Sequence, residues 1–146
     1  MKKYRKAVFI VTYARTKRGI EYLILKRQLH WKGWEFPKGG IQILERKKTA
    51  VKRELFEETR LNPKFGKIKK HNYSGKYKYS KVLEDRVNFK GQTFSLYSVE
   101  VKKARAKVDN YEHSGSKWVD FKQAQKLLKW PNQKKALGIV NRSLGQ

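Results

Sequence analysis

Two runs near the start of the chain are apolar almost without interruption. Ala7–Tyr13 reads AVFIVTY and Tyr22–Lys26 reads YLILK, both rich in β-branched and aromatic residues. Runs of this type predict buried strands, and the polar stretch Thr16–Gly19 predicts the turn of a hairpin between them. A Gly- and Pro-containing loop, QLHWKGWEFPKGG, occupies residues 28–40. From Lys47 to Thr59 there is no Gly or Pro and helix formers dominate, which predicts a helix. Asn62-Pro63 then provides a stop. Residues 65–81 alternate as strands, with Ser74-Gly75 read as a turn. Arg86–Phe89 and Thr93–Val101 read as a hairpin joined at Lys90-Gly91, Val101–Lys107 as a solvated turn, and Asp109–Asp120 as a loop. Phe121–Trp130 and Asn132–Leu144 read as helices divided by Pro131. Their Leu127, Leu128, Leu137, Ile139 and Val140 are expected to cover one face of a sheet.

Composition narrows the partners. The 146 residues suffice for one domain, expected to span 1–146, with no internal repeat or linker. There are no cysteines, so neither disulfides nor a thiolate zinc site is expected. No apolar run approaches the roughly 20 residues of a membrane span. The basic N-terminus reads as a strand rather than a secretory signal, and a cytoplasmic location is expected. The net charge of +25 favours polyanions: nucleotides, polyphosphates or RNA. The lysines are spread along the chain rather than blocked, which favours a surface filled with lysine for no specific partner over a dedicated polyanion site.

Against that basic background, Glu54, Glu57 and Glu58 stand together. At helical spacing they fall within an arc of about 100° on one face. Like charges on one face repel, and Glu54–Glu58 is such a pair at i,i+4. Divalent cations would offset that cost, and Mg²⁺ prefers oxygen ligands while keeping waters and phosphate oxygens in its shell. The carboxylate helix therefore points to pyrophosphate chemistry. Trp31, Trp34 and Phe36 flank Pro37-Lys38-Gly39, and aromatics interleaved with lysine suit stacking on a base while holding phosphate. Core packing is the plainer reading for Phe36. Tyr77 and Tyr79 share one strand face by alternation.

Residues 39–61 resemble the Nudix box: Gly, five residues, Glu, seven residues, then Arg-Glu-aliphatic-any-Glu-Glu-any-Gly-aliphatic. The matching positions are Gly39, Glu45, Arg53, Glu54, Leu55, Glu57, Glu58 and Leu61; Arg60 stands where the family has Gly. The resemblance implies an α/β/α sandwich with a mixed β-sheet. It also implies Mg²⁺ (Mn²⁺ as the alternative) bound by Glu54, Glu57, Glu58 and the Gly39 carbonyl, with Arg53 orienting a box carboxylate and Glu45 as its partner. Glu57, Glu58 or Glu112 would accept the proton of the attacking water. WEFPKGG is similar to the segment before the box in two Nudix groups: asymmetric dinucleoside tetraphosphate hydrolases and RNA 5′-pyrophosphohydrolases. Lys38 would then touch a phosphate, and Trp34 with Tyr77 and Tyr79 would grip a base. Glu112-His113 followed by Lys117-Trp118-Val119 resembles the first group, and His113 reads equally as a bystander capping its loop. The leading expectation is hydrolysis of a dinucleoside tetraphosphate such as diadenosine tetraphosphate. The alternatives are an RNA 5′-pyrophosphohydrolase, a nucleoside triphosphate or nucleotide-sugar pyrophosphohydrolase, and a non-catalytic RNA-binding module.

Overall fold

A strand that is apolar on both faces must be covered on both faces. The computed structural model, which describes residues 2–146, meets that demand around β1 (Lys3–Thr16). Its odd side chains Phe9, Val11 and Tyr13 join one core with Phe36, Leu96, Leu137 and Val140. Its even side chains Val8 and Ile10 join a second core with Ala50, Val51, Leu55 and Val99. The elements that supply these partners are β2 (Gly19–Arg27), β3 (Gly33–Glu35), β4 (Lys38–Gly40), α1 (Lys47–Thr59), β5 (Ile68–Lys78), β6 (Phe89–Glu100), β7 (His113–Val119), α2 (Phe121–Leu127) and α3 (Pro131–Ser143). With α1 on one face and α2 and α3 on the other, the result is an α/β/α sandwich on a mixed sheet. β1 and β6 run parallel, and the remaining pairs are antiparallel.

The pairing of β1 with β2 is short, from Tyr13↔Tyr22 to Thr16↔Gly19. Beyond it the strands part. β3 pairs with β2 at Leu25–Arg27, and β4 pairs with β1 at Ala7–Phe9. Residues 33–40 therefore fill the opening, and the Ile10 N–H donating to the Pro37 carbonyl at 2.9 Å carries the β1 ladder through the proline. This wedge brings Lys38, Gly39 and Gly40 beside α1.

Three expected breaks are not breaks. Ser74-Gly75 lies inside β5, pairing with Ser95 and Phe94. A Cβ at position 75 would lie 2.8 Å from the Phe94 ring, which stacks on Phe9 at 4.1 Å. Glycine there lets an aromatic approach the backbone rather than turning the chain. Lys90-Gly91 lies inside β6, where a Cβ on Gly91 would collide with the Tyr77 carbonyl. The second half of the expected 109–120 loop is β7, held along β2. No helix among the described residues is long and apolar enough to cross a membrane.

α1 ends on Arg60 at φ 64°, with its N–H donating to the Phe56 carbonyl at 2.8 Å. The turn expected of glycine is therefore made by an L-residue, at a cost of about 1 kcal/mol. Arg60→Gly should raise stability by up to about 1 kcal/mol, less whatever the exposed Arg60–Phe56 stacking contributes. Urea unfolding checks this, and a lower midpoint would contradict it.

Candidate active site

The two glycines that open the box are required by close approach. A Cβ on Gly39 would overlap the Glu54 carboxylate, and one on Gly40 would overlap the Arg5 guanidinium. Arg53 ties the same corner together. Its Nε and Nη2 donate to Glu45 at 2.8 Å each, Nη1 donates to Glu54 at 2.8 Å, and Nη2 also reaches the Gly40 carbonyl at 2.8 Å. The Arg53 bonds hold the Glu45 carboxyl down at about 2, and Glu45 in turn raises Arg53 further. Glu57 is 3.3 Å from Arg53 and remains 54% exposed, whereas Glu54 and Glu58 are 14% and 6% exposed.

Burial makes Glu58 the costliest of the three. Its Oε1 accepts the Lys38 N–H at 2.9 Å, which is too little to offset its surroundings. Burial, then Glu35 and Glu112, push its carboxyl well above the ordinary range. Burial also raises Glu54, partly opposed by Arg53. Glu112 reaches this group from a loop that Asp109 orders, through Oδ1 accepting from Tyr111 N–H at 2.9 Å and Glu112 N–H at 3.0 Å. Atoms of Glu58, Glu112 and His113 able to ligate a metal lie within 4.8 Å of one another. Buried carboxylates held ionisable but short of positive charge fit a divalent cation.

A residue that sequence reasoning missed stands behind them. Glu35, at 1% exposure, accepts from Arg27 at 3.0 Å and pairs with His113 Nε2 at 2.9 Å, while Lys38 Nζ lies 3.4 Å from its other oxygen. Burial pushes Glu35 up, but Lys38, His113 and Arg27 together outweigh it and hold it at about 2. Lys38 is itself lowered by burial, against the pull of Glu35. His113 is no loop cap: it is 1% exposed, with Nδ1 3.8 Å from Glu58. The available signal was an acid between Trp34 and Phe36 in a chain with only twelve acids.

Beside this network opens a cavity of about 400 Å³, lined by Trp31, Tyr77, Tyr79, Trp130, Leu83 and Lys38, among others. Trp31 carries Arg27 and Lys38 over its ring at 4.4 and 4.6 Å, and its edge meets Trp130 at 6.1 Å. Trp34 does not line this cavity; its ring packs against the core with Lys117 over it, and its backbone bridges to Leu128. Trp31 Nε1, Asn132 Oδ1 and Glu35 Oε1 are buried without hydrogen-bond partners.

Residues 3–138 match the NUDIX domain model. The chain belongs to the Nudix family. Its fold is similar to a C. elegans Ap4A hydrolase binary complex (21% identity, 97% of this chain and 98% of that one, TM-score 0.71). It is similar too to the NUDIX domain of Shewanella oneidensis NrtR complexed with ADP ribose (16%, 99% and 90%, TM-score 0.78). A third is the E. coli dihydroneopterin triphosphate pyrophosphohydrolase (20%, 96% and 99%, TM-score 0.74). At these identities the likeness is one of fold. No curated protein matches the chain. Family membership places this Nudix domain among hydrolases of nucleoside diphosphate-linked compounds, which generally use divalent metals.

Two stability predictions follow from the buried charges. Glu35→Gln leaves Arg27 and Lys38 without their anion and should cost about 3–5 kcal/mol near neutral pH. Because the folded value of about 2 lies below the ordinary 4.5, this contribution is present above about pH 4.5 and is lost as pH falls toward 2. Urea unfolding of both proteins across that window should show their difference shrinking; a constant difference would contradict the ion-pair account. Glu58 has the opposite sign, since its raised value means the ionised form opposes folding. Glu58→Gln should therefore unfold at higher urea than the parent at neutral pH without metal, and a fall would show that the carboxylate is already compensated.

Proposed function

We propose that this Nudix hydrolase cleaves a phosphoanhydride of a dinucleoside tetraphosphate, with a base in the aromatic cavity and the phosphates running toward the box carboxylates. One observation carries the reading. Lys38 lines the cavity with its side chain, while its backbone N–H binds Glu58, so base site and carboxylate site meet at one residue.

The roles divide along that line. Trp31, Tyr77 and Tyr79 offer ring faces and edges to a base, a contribution of about 1–3 kcal/mol per stacked base. Lys38 Nζ, between Trp31 and Glu35, meets the first phosphates. Glu54 and Glu58 with the Gly39 carbonyl would hold Mg²⁺ or Mn²⁺, joined by Glu57 from the solvent side. Bound there, the cation supplies positive charge against the phosphates and makes water more acidic. Arg53, fixed by Glu45, keeps Glu54 in place. Glu58 and Glu112 are the chain's groups best placed to take the proton from the attacking water.

The strong positive charge favours a second reading, a 5′-triphosphorylated RNA as substrate. A single assay separates the two: purified chain with Mg²⁺ against diadenosine tetraphosphate, 5′-triphosphorylated RNA, deoxynucleoside triphosphates and ADP-ribose. The dinucleotide should be cleaved with the highest kcat/KM. Trp31→Ala should raise its KM about tenfold or more, and Glu58→Gln should lower kcat at least about 10²-fold. Comparable rates on all four compounds would overturn the substrate reading.

A further inference from the structure

Arg5 has no place in the chemistry described so far. It sits half-buried on β1, and its one side-chain partner among the described residues is a neutral amide: Nη1 donates to Gln92 Oε1 at 2.7 Å. Gln92 is 1% exposed and acts as a hub. Its Nε2 donates to the Tyr77 hydroxyl at 3.0 Å, and its Oε1 also accepts from the Tyr79 hydroxyl at 3.3 Å. Arg86 Nη1 reaches the same Tyr79 hydroxyl at 3.3 Å, with its side chain only 11% exposed and Asp85 as distant as 3.9 Å. Two guanidinium groups are thus tied to the wall of the cavity by one buried amide and one phenol. The other side of Arg5 lies over Gly40, whose carbonyl Arg53 holds, so Arg5 borders the box corner as well. Burial and the nearby Arg86 hold Arg5 below its ordinary range, against a smaller opposite pull from Tyr79, Glu54 and Glu112.

Such an arrangement costs folding energy. Two cations share one hydrogen-bonded network, largely withdrawn from water, and their hydrogen bonds go to neutral acceptors, with Asp85 reaching Arg86 at 3.9 Å. An anion between them would relieve both, and a guanidinium fork matches the paired oxygens of phosphate. We propose that Arg5 and Arg86 form a second anion subsite, taking phosphates beyond those held between Lys38 and the carboxylates and so selecting chains of three or more phosphates. The inference deepens the proposed function and rests on the same cavity being the base site.

Inorganic tripolyphosphate and pyrophosphate are the probes, titrated calorimetrically into the full chain with Mg²⁺. The parent should bind tripolyphosphate more tightly. Arg5→Gln and Arg86→Gln should each weaken tripolyphosphate about tenfold or more, as expected for a charge-assisted contact, while weakening pyrophosphate much less. Lys122→Gln, at an exposed position of α2, removes the same charge away from the cavity and should leave the preference intact. Equal losses for both anions, or the same loss in Lys122→Gln, would overturn the subsite. If Arg5→Gln does not fold, Arg86→Gln decides, since Arg86 lies in the short helical turn Glu84–Arg86 outside the sheet. A tripolyphosphate preference that both arginines supply, in a chain that cleaves no dinucleotide, would uphold the subsite and overturn the substrate reading. Cleavage of diadenosine tetraphosphate with KM unchanged in both variants would do the reverse.

Discussion

The site rests on carboxylates that the fold withdraws from water without supplying enough positive charge to satisfy them. Glu58 is nearly sealed and surrounded by Glu35, Glu112 and Glu54. Its direct protein relief is a backbone N–H from Lys38. Such a group opposes folding when ionised, and the chain tolerates it because other elements close around it. Gly39 admits Glu54 against the strand, Arg53 locks Glu54 to Glu45, and the loop ordered by Asp109 brings up Glu112. On the proposed function, a bound cation would offset that cost of folding.

Behind this cluster a second set of charges is paired within the protein. Glu35 holds Arg27, Lys38 and His113 in a buried group, and the same Lys38 passes its backbone N–H to Glu58. One acid is thereby kept ionised while its neighbour is pushed toward the neutral form. The two carboxylates thus sit in opposite environments, one paired with cations and one short of them. It also fixes where the lysine side chain points, across Trp31 and into the cavity.

The box was legible because its chemistry depends on spacing within one helix, so Arg53, Glu54 and Glu58 could be placed before any tertiary contact was known. The strands around Ala7–Tyr13 and Tyr22–Lys26 were legible for a similar reason: they are apolar on both faces and lie between two layers. Gly75 and Gly91 misled because the cause of each glycine is a residue far away in sequence, Phe94 or the Tyr77 carbonyl, rather than a local turn. Glu35 and His113 meet across β2, the strand between β3 and β7, and no spacing rule foretells that meeting. The choice between Trp31 and Trp34 likewise depended on tertiary packing, since the two flank the same Lys32-Gly33 pair yet one lines the cavity and the other packs on the core.

Anomalous scattering from crystals soaked in Mn²⁺ with a nonhydrolysable diadenosine tetraphosphate would test the core of this account. Metal peaks within ligating distance of Glu54, Glu58 and the Gly39 carbonyl, with an adenine against Trp31, are the predicted result. Ordered nucleotide bound with no metal at those carboxylates, or metal bound with the adenine away from the aromatic cavity, would contradict it.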